Sequence, residues 1–151
     1  MNNYRTRALE GATAVDLVVA LYDGIIRFLY SAAEAVDRGD VTGRRVAVKR
    51  ALDIIIHLQA RLRMDIGGSP ARALSEFYAS VFAQILQASQ SASRLKFEHA
   101  IHCVQNVRDA WRQVALDADA GIIAPALTAH FSPERTADPI NETPKASRWS
   151  A

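Results

Sequence analysis

The side chains best suited to metal chemistry in this sequence are those of His99, His102 and Cys103. Their spacing puts them on neighbouring turns of a helix, and imidazole and thiolate groups are common zinc ligands. On a helical wheel, however, both histidines lie opposite the apolar residues of the same segment, which indicates a solvated face. Carboxylate-bridged enzymes built on helical bundles also need a Glu followed by His at the third position, and no Glu here has that neighbour. We therefore expect no metal site and no cofactor.

Two acidic residues have neighbours that could take part in acid–base catalysis. Asp53 and His57 are separated by one helical turn, which is typical of a local pair exposed on the side of a helix. Asp23 follows Tyr22 directly, but Arg27, one turn later, is a sufficient partner for its charge. The sequence contains no Gly-x-Ser-x-Gly nucleophile motif and no phosphate-binding loop. It therefore gives no support for an enzyme.

The composition indicates one domain in a reducing compartment. The chain has 151 residues, 50% of them hydrophobic, which is enough to bury a single core without disulfides or metals. Its one cysteine cannot form an intrachain disulfide, so a cytosolic location is expected. The first residues lack the apolar run of a secretory signal, and the most apolar stretch, residues 15–30, is interrupted by Asp23 and Arg27. We expect neither a secretory signal nor a membrane span.

Basic residues cluster between residues 38 and 63, although the net charge of the whole chain is only +2. The cluster consists of Arg38, Arg44, Arg45, Lys49, Arg50, Arg61 and Arg63, against Asp40 and Asp53. A nucleic-acid interface would also need a recognition helix or stacking aromatic residues, and this stretch has no aromatic residue. The pattern favours a solvated helix face, or attraction to an acidic partner segment, over nucleic-acid binding.

Apolar residues recur with helical periodicity four times along the chain. The predicted helices share a capping residue before the first turn or a glycine after the last. The first is predicted from Thr13 to Arg38 and ends at Gly39, and the second from a cap at Thr42 to about Met64, followed by a turn at Gly67 and Gly68. The third begins at Ser69 and Pro70, and the fourth begins just after Ser93.

The sequence thus predicts an all-α protein folded as an antiparallel four-helix bundle with a short N-terminal segment and a disordered C-terminal tail. Most of the prolines fall in residues 125–151, among Ser, Thr, Asn and charged residues, and this composition is typical of a chain that buries too little apolar surface to fold. We assign residues 1–12 to an N-terminal tail, residues 13–120 to the bundle and residues 121–151 to a flexible C-terminal tail.

The predicted first helix has an unusually wide apolar circumference. On a helical wheel Asp16, Asp23, Arg27 and Glu34 fall within about 40° of one line, and nearly all other positions are apolar or small. A helix that faces a single core usually shows an apolar stripe of somewhat over 100°. Two explanations stay open: the helix is covered by others on several sides, or part of its surface is free for a partner. Gly24, in its middle, suggests close approach by another backbone.

Three sequence blocks resemble the FliS family of flagellar secretion chaperones. The run from Leu17 to Leu29, with Leu-Tyr-Asp-Gly at its centre, is similar to the signature helix of the family. Residues 62–68, Leu-Arg-Met-Asp-Ile-Gly-Gly, with Leu74 and residues 77–78 after them, resemble its Leu-x-Met-Glu-x-Gly-Gly turn and the following Leu-x-x-Leu-Tyr. An Arg-x-x-Trp that ends at Trp111 resembles its fourth helix. The blocks occur in order over residues 4–116.

The resemblance implies an antiparallel four-helix bundle that is not an enzyme and acts in the bacterial cytosol. The family binds the disordered C-terminal segment of flagellin, blocks its premature polymerisation and delivers it to the flagellar type III export gate. In relatives the N-terminal tail can lie over part of the binding groove until flagellin displaces it. The alternative is a generic helical-bundle adaptor that binds another protein or self-associates. The sequence does not distinguish a monomer from a homodimer.

We expect such a cargo to fold into helices along apolar grooves as it binds, on positions of the first helix that the core does not use. The predicted contact residues are Tyr22, Ile25, Ile26 and Leu29 on the first helix, Ile54 and Leu58 on the second, and Phe82 and Leu86 on the third. The predicted self-capping residues of the N-terminal tail are Tyr4 and Leu9.

Overall fold

A computed structural model describes residues 2–119, with their side chains except those of residues 2–13, 66, 115 and 117–119. Its elements are α1 (Asn2–Arg38), α2 (Val41–Ala60), α3 (Met64–Gln90) and α4 (Arg94–Asp119). They form the predicted all-α, antiparallel four-helix bundle, and there is no strand in this part of the chain. None of the described helices is long and apolar enough to cross a membrane. The predicted tail, residues 121–151, lies outside the described residues.

The first helix begins at Asn2, so the prediction that it starts at Thr13 is wrong. Residues 2–12, which we assigned to a separate tail, are helical and continue into α1 without a break. Their sequence explains this, because it contains no proline and is rich in the helix formers Ala, Arg and Leu. The single glycine, Gly11, costs about 1 kcal/mol relative to Ala, which good neighbouring helix formers can outweigh.

The turn between α1 and α2 is built around Gly39, as predicted. Its φ of +68° lies in the left-handed region, which glycine adopts without a steric penalty. The N–H groups of Gly39 and Asp40 donate to carbonyls in the last turn of α1, at 3.1 and 2.9 Å. This is the Schellman arrangement of a helix end. The Asp40 carboxylate then accepts a hydrogen bond from the Gly43 N–H at 2.8 Å, so Asp40 caps α2, and the prediction of Thr42 as its cap is wrong.

The connection between α2 and α3 contains the predicted glycine turn, but its flanks differ from the prediction. α2 ends at Ala60, earlier than predicted, and residues 64–67 instead form a first helical turn of α3. The helical path then breaks at Gly68, which has φ 57° and ψ −138°. Only glycine adopts this conformation readily. The regular part of α3 continues from Ser69 and Pro70.

The start of α4 after Ser93 is confirmed. The Ser93 hydroxyl accepts a hydrogen bond from the Lys96 N–H at 3.1 Å, which satisfies one of the free donors of the first turn. Before it, Ala92 has a φ of +45° in the position that glycine filled after α1. The N–H groups of Ala92 and Ser93 donate to carbonyls of the last turn of α3, at 3.1 and 3.0 Å. The two helix ends therefore share one geometry, with alanine strained in the second.

The packing of α1 explains its wide apolar circumference. α1 packs extensively against both α2 and α4, and α3 closes the bundle with less extensive contacts to the same two helices. Two neighbours at different angles bury two apolar stripes on α1, which is the first of the two explanations above. A Cβ atom on Gly24 would lie 3.1 Å from Cδ1 of Ile54. The close neighbour of Gly24 is thus a side chain of α2, and the predicted backbone approach is wrong.

Candidate functional site

An open apolar groove of about 500 Å³ runs between α2 and α3. Its floor consists of Ile55 and Tyr78, which are both buried, and Ile56 stands at its edge with 53% of its surface exposed. Gln59 donates to the Ser75 hydroxyl at 2.7 Å and links the two helices there. The lining residues, none of them charged, are Ile55, Ile56, Gln59, Ala60, Tyr78, Ala79 and Phe82. We call this the α2–α3 groove.

The local sequence explains why the groove is apolar and open. Ile54, Ile55 and Ile56 are consecutive, and neighbouring helix positions differ by about 100°, so the three side chains cannot face one core. Ile55 points into the core, Ile54 packs near α1 at Gly24, and Ile56 is left at the surface. On α3, positions four apart drift by about 40°, and Phe82 accordingly lies half-buried one turn after the buried Tyr78.

A buried hydrogen-bond chain lies beneath the groove. The hydroxyl groups of Tyr22 and Tyr78 are 2.7 Å apart, and the Trp111 indole N–H donates to the Tyr22 hydroxyl at 3.3 Å. Burial raises the pKa of Tyr22 from its ordinary 10 to about 12, and the hydrogen bonds from its two neighbours only partly offset this. Burial also raises the pKa of Tyr78, and so does its proximity to Tyr22. Both phenols are therefore neutral at physiological pH.

The four residues predicted as contacts on α1 are part of the core. Tyr22 and Leu29 have no exposed surface, Ile25 is 2% exposed and Ile26 is 7% exposed. The prediction that these positions lie outside the core is wrong, because α2 and α4 cover α1 from two sides. A cargo segment therefore cannot reach them unless the helices separate.

The residues predicted on α2 and α3 divide between the core and the surface. Leu58 is fully buried, and Ile54 is half-buried beside Gly24. Phe82 lies in the groove, and Leu86, one turn further along α3, is 40% exposed. Of the groove lining, sequence reasoning named only Phe82 and missed Ile55, Ile56, Gln59, Ala60, Tyr78 and Ala79. The signal that could have found Ile56 is the run of three isoleucines, of which a single core can bury only part.

The predicted self-capping residues, Tyr4 and Leu9, have side chains outside the described ones. Their backbone belongs to α1, which is helical from Asn2 onwards. The prediction of a self-cap by these residues therefore remains untested.

The carboxylate of Asp23 is held by α4 and not by Arg27. Arg108 donates to it at 3.0 Å, and Arg112 lies 3.7 Å away. Two arginines of α4 thus reach the carboxylate of Asp23, and this long-range pairing replaces the expected local pair with Arg27. Asp23 thus ties two helices together and is not placed beside a reactive group.

The expected pair of Asp53 and His57 is also absent. Asp53 pairs with Lys49 at 3.0 Å, while a ring nitrogen of His57 lies 3.5 Å from the guanidinium of Arg61. Lys49 lies one turn before Asp53 on the same face, so its ammonium group is within reach of the carboxylate. Both contacts are exposed on the side of the helix.

The residues of the basic cluster are largely engaged in local contacts. Arg38 and Arg63 form ion pairs with Asp40 and Asp65, at 3.5 and 3.1 Å. The Arg50 guanidinium lies 5.9 Å from the centre of the Phe28 ring, within the range of cation–π contact. These contacts fit the solvated helix face that the sequence favoured.

The histidines of α4 line a second depression, of about 800 Å³, which Tyr30 of α1 and two glutamines of α3 also border. His99 Nε2 lies 3.9 Å from the Cys103 sulfur, which in turn lies 3.9 Å from the side-chain oxygen of Gln84. Among the described residues no three His, Cys, Asp or Glu side chains converge as metal ligands would. The α2–α3 groove is smaller, but its lining carries no charged residue, whereas Lys96 and Glu98 line the depression.

Comparisons with known proteins agree with this architecture. The family model described as "Flagellar protein FliS" matches residues 1–118. The flagellar secretion chaperone FliS of Salmonella typhimurium is 30% identical over 109 residues, which cover 72% of this chain and 81% of the relative. The corresponding protein of Vibrio cholerae is 29% identical over 106 residues, covering 70% and 78%. That of Bacillus subtilis is 26% identical over 110 residues, covering 73% and 81%. The chain belongs to the FliS family of flagellar proteins.

Proposed function

We propose that this chain is an export chaperone of the bacterial cytosol that binds the disordered C-terminal segment of flagellin in the α2–α3 groove. By covering that segment it prevents premature polymerisation, and it delivers the cargo to the flagellar type III export gate. The proposal is supported by sequence similarity: the chain belongs to the FliS family, and its relatives are named flagellar secretion chaperones. The observation that carries the choice of site is the open, uncharged groove with Ile56 at its edge.

The groove suits an amphipathic helix better than an extended peptide. A helix can place an apolar stripe between α2 and α3, whereas an extended strand would need unpaired backbone groups, which helices do not offer. The groove lining offers only Gln59 and the buried Tyr78 as hydrogen-bonding side chains. A disordered segment that folds as it binds loses conformational entropy, and a wide apolar contact must offset that loss. No catalytic group is required for this activity.

The proposed contact residues are the exposed or half-buried apolar side chains of α2 and α3. They are Ile56 at the groove edge, Phe82 inside it, and Leu86 one turn further along α3. They replace the four predicted α1 residues, whose burial leaves them as structural supports. Tyr78 supports the groove from below, since its hydroxyl is bound to Tyr22 in the core.

Isothermal titration with the flagellin C-terminal segment tests the proposal. We expect saturable binding and a gain of helical circular dichroism, and we expect Ile56→Glu to weaken binding at least about tenfold, or 1.4 kcal/mol. Binding weakens because the cargo would bury the new carboxylate of Glu at position 56 against an uncharged groove. Leu95→Glu is the matched control, because Leu95 is 74% exposed on α4 and is not part of the groove.

Two outcomes would contradict this assignment. Absence of binding by the parent chain at concentrations on the order of 50 µM, where specific complexes of this kind are populated, would remove the chaperone function. Equal loss of affinity in Leu95→Glu and Ile56→Glu would remove the groove as the site. Circular dichroism of each free variant verifies that the bundle is intact.

A further inference from the structure

The part of the chain after α4 contains one short apolar run that the family match does not cover. The family model ends at residue 118, and residues 122–127 read Ile-Ile-Ala-Pro-Ala-Leu. Charges resume only at Glu134. An apolar run without charge is costly to leave in water, so a surface that can receive it is expected within its reach.

The end of α4 lies at the same end of the bundle as the groove. Because consecutive helices are antiparallel, the C-terminal end of α4 at Asp119 lies at the same end of the bundle as the C-terminal end of α2, where Ala60 lines the groove. α2 and α4 are diagonally opposite, with the start of α3 between them on one side. Neighbouring helix axes are about 8–10 Å apart. Residues 120–127 span up to about 26 Å when extended, so they can pass over the start of α3 and enter the groove.

The chemistry of the two surfaces matches. The groove is lined without a charged residue, and Ile56 at its edge is half exposed. The run offers Ile122, Ile123 and Leu127, also without a charge, and Pro125 disfavours a continuous helix through it. Elsewhere on α2 the exposed apolar residues, Val41 and Val46, lie towards its other end, where residues 44–50 carry four basic side chains.

We propose that residues 122–127 occupy the α2–α3 groove of the same molecule when no cargo is bound. Leu127 packs beside Ile56 and Phe82, and the segment leaves when a cargo helix takes its place. The segment thus competes with cargo for the groove. It covers the exposed Ile56 in the free protein, and a cargo must bind tightly enough to displace it. This inference shares the groove with the proposed function but concerns the free protein.

Disulfide trapping in the full-length chain tests the docking without any cargo. In a Cys103→Ser background, Ala79→Cys inside the groove is combined with Leu127→Cys, and the rate of intramolecular disulfide formation is measured by mass spectrometry. The control pair is Ala110→Cys with Leu127→Cys, because Ala110 is exposed on α4 and closer to residue 127 along the chain. We expect the Ala79 pair to close at least about tenfold faster than the control.

Each result of the trapping experiment decides the question. Equal rates in the two pairs, a faster control pair, or only intermolecular disulfides would overturn the docking. Adding Ile56→Glu to the Ala79 pair should slow closure to the rate of the control, and unchanged closure would show that the segment does not bind in the groove. Circular dichroism confirms that each variant keeps its helices. Since no flagellin is present, failure here leaves the proposed chaperone function intact.

The competition itself is tested with cargo. If the segment fills the groove in about nine of ten free molecules, Leu127→Asp should bind the flagellin C-terminal segment about tenfold more tightly than the parent. Ser150→Asp adds the same charge outside the apolar run and should leave the affinity unchanged. Equal affinity of Leu127→Asp and the parent would overturn the competition. If neither protein binds flagellin, the proposed function fails, and the trapping result stands by itself.

Discussion

Two tyrosine hydroxyls meet in the apolar core, where a lone hydroxyl would be destabilising. Tyr22 lies in the middle of the chain of hydrogen bonds that Tyr78 and Trp111 complete. A buried hydroxyl without a partner costs about 1–3 kcal/mol, whereas a bonded one is close to neutral or slightly stabilising. The position of each residue in the chain therefore sets the cost of removing its hydroxyl.

We expect Tyr22→Phe to destabilise the bundle more than Tyr78→Phe does. Tyr22→Phe leaves the Tyr78 hydroxyl buried without its partner, at about 2 kcal/mol. Tyr78→Phe leaves the Tyr22 hydroxyl bonded to Trp111, at about 1 kcal/mol. Urea unfolding followed by circular dichroism measures both values. A larger loss of stability in Tyr78→Phe than in Tyr22→Phe would show that the Tyr78 hydroxyl, and not that of Tyr22, is the central member of the hydrogen-bond network.

The same two phenols make the bundle sensitive to alkali. An unfolded tyrosine ionises near its ordinary pKa of 10, while folding holds the pKa of Tyr22 at about 12. The stabilising effect is fully present below the unfolded pKa and is lost as the pH rises through the folded one. At about pH 11 the ionisation of Tyr22 alone removes about 1.4 kcal/mol from the free energy of unfolding. The double variant Tyr22→Phe and Tyr78→Phe should lose less between about pH 9 and 11. Parallel stability curves of the parent and the double variant would contradict this.

Several residues that sequence reasoning placed wrongly have partners far away in the chain. Tyr22 was predicted as a cargo contact outside the core, although it bonds to Tyr78, 56 residues away. Asp23 was given Arg27, although Arg108, 85 residues away, holds it. Helical periodicity identifies an apolar or polar face but not the helix that lies against it. These assignments require the order of the helices around the bundle, which no local pattern contains.

At the scale of the helices, the C-terminal ends of α1 and α3 have the same backbone geometry. Both use the same two hydrogen bonds around a residue of positive φ, Gly39 in one and Ala92 in the other. A side chain in the left-handed region costs about 1–2 kcal/mol because its Cβ approaches the following carbonyl. A Cβ on Gly39 would meet no atom within 4 Å, so only the backbone term is involved.

We predict opposite effects for the two exchanges. Ala92→Gly should stabilise the protein by about 0.5–1 kcal/mol, since relief of strain exceeds the added flexibility of the unfolded chain. Gly39→Ala should destabilise it by about 1 kcal/mol. The double variant should unfold near the midpoint of the parent, because the two sites are separate and their effects add. Thermal or urea unfolding gives all three values. Two changes of the same sign would contradict the shared geometry.

Helix ends that a local signal marks were predictable, and those set by competition were not. Gly39 and Ser93 act through their own backbone or hydroxyl, and both helix boundaries were correct. Thr13 carries an equally good capping side chain, yet α1 runs past it. A cap lowers the free energy of one start by only about 1 kcal/mol, and an upstream segment of good helix formers offsets that.

In the molecule as a whole, the helices differ in how extensively they pack against their neighbours. α1 is covered by α2 and α4, and ion pairs of Asp23 with Arg108 and of Asp37 with Arg94 join it to α4. α3 has the less extensive contacts and borders the open groove. The predicted bundle was correct because the apolar periodicity of four helices requires one shared core. The place of the groove depends on which helix pair packs least, and composition does not reveal this.

This inequality predicts a gradient of local stability. Amide hydrogen exchange should be slowest in α1 around residues 22–29 and at least about tenfold faster in α3 around residues 78–86, because fewer packing contacts must break for α3 to open. Mass spectrometry of peptides from the full chain measures both rates. Exchange in α3 as slow as in α1 would show that the bundle opens only as one unit.

Binding of cargo should slow amide hydrogen exchange mainly in α2 and α3. With flagellin C-terminal segment at about 100 times its dissociation constant, binding stabilises the liganded state by about 2.7 kcal/mol, so exchange through openings that break the groove should slow about 100-fold. The slowing should be largest in α2 and α3, since their separation destroys the groove, and smaller where α1 and α4 open alone. Ile56→Glu under the same conditions should show little slowing. Equal slowing in all four helices would instead indicate that cargo wraps the whole bundle, and slowing confined to α1 and α4 would place the binding surface on the opposite side from Ile56.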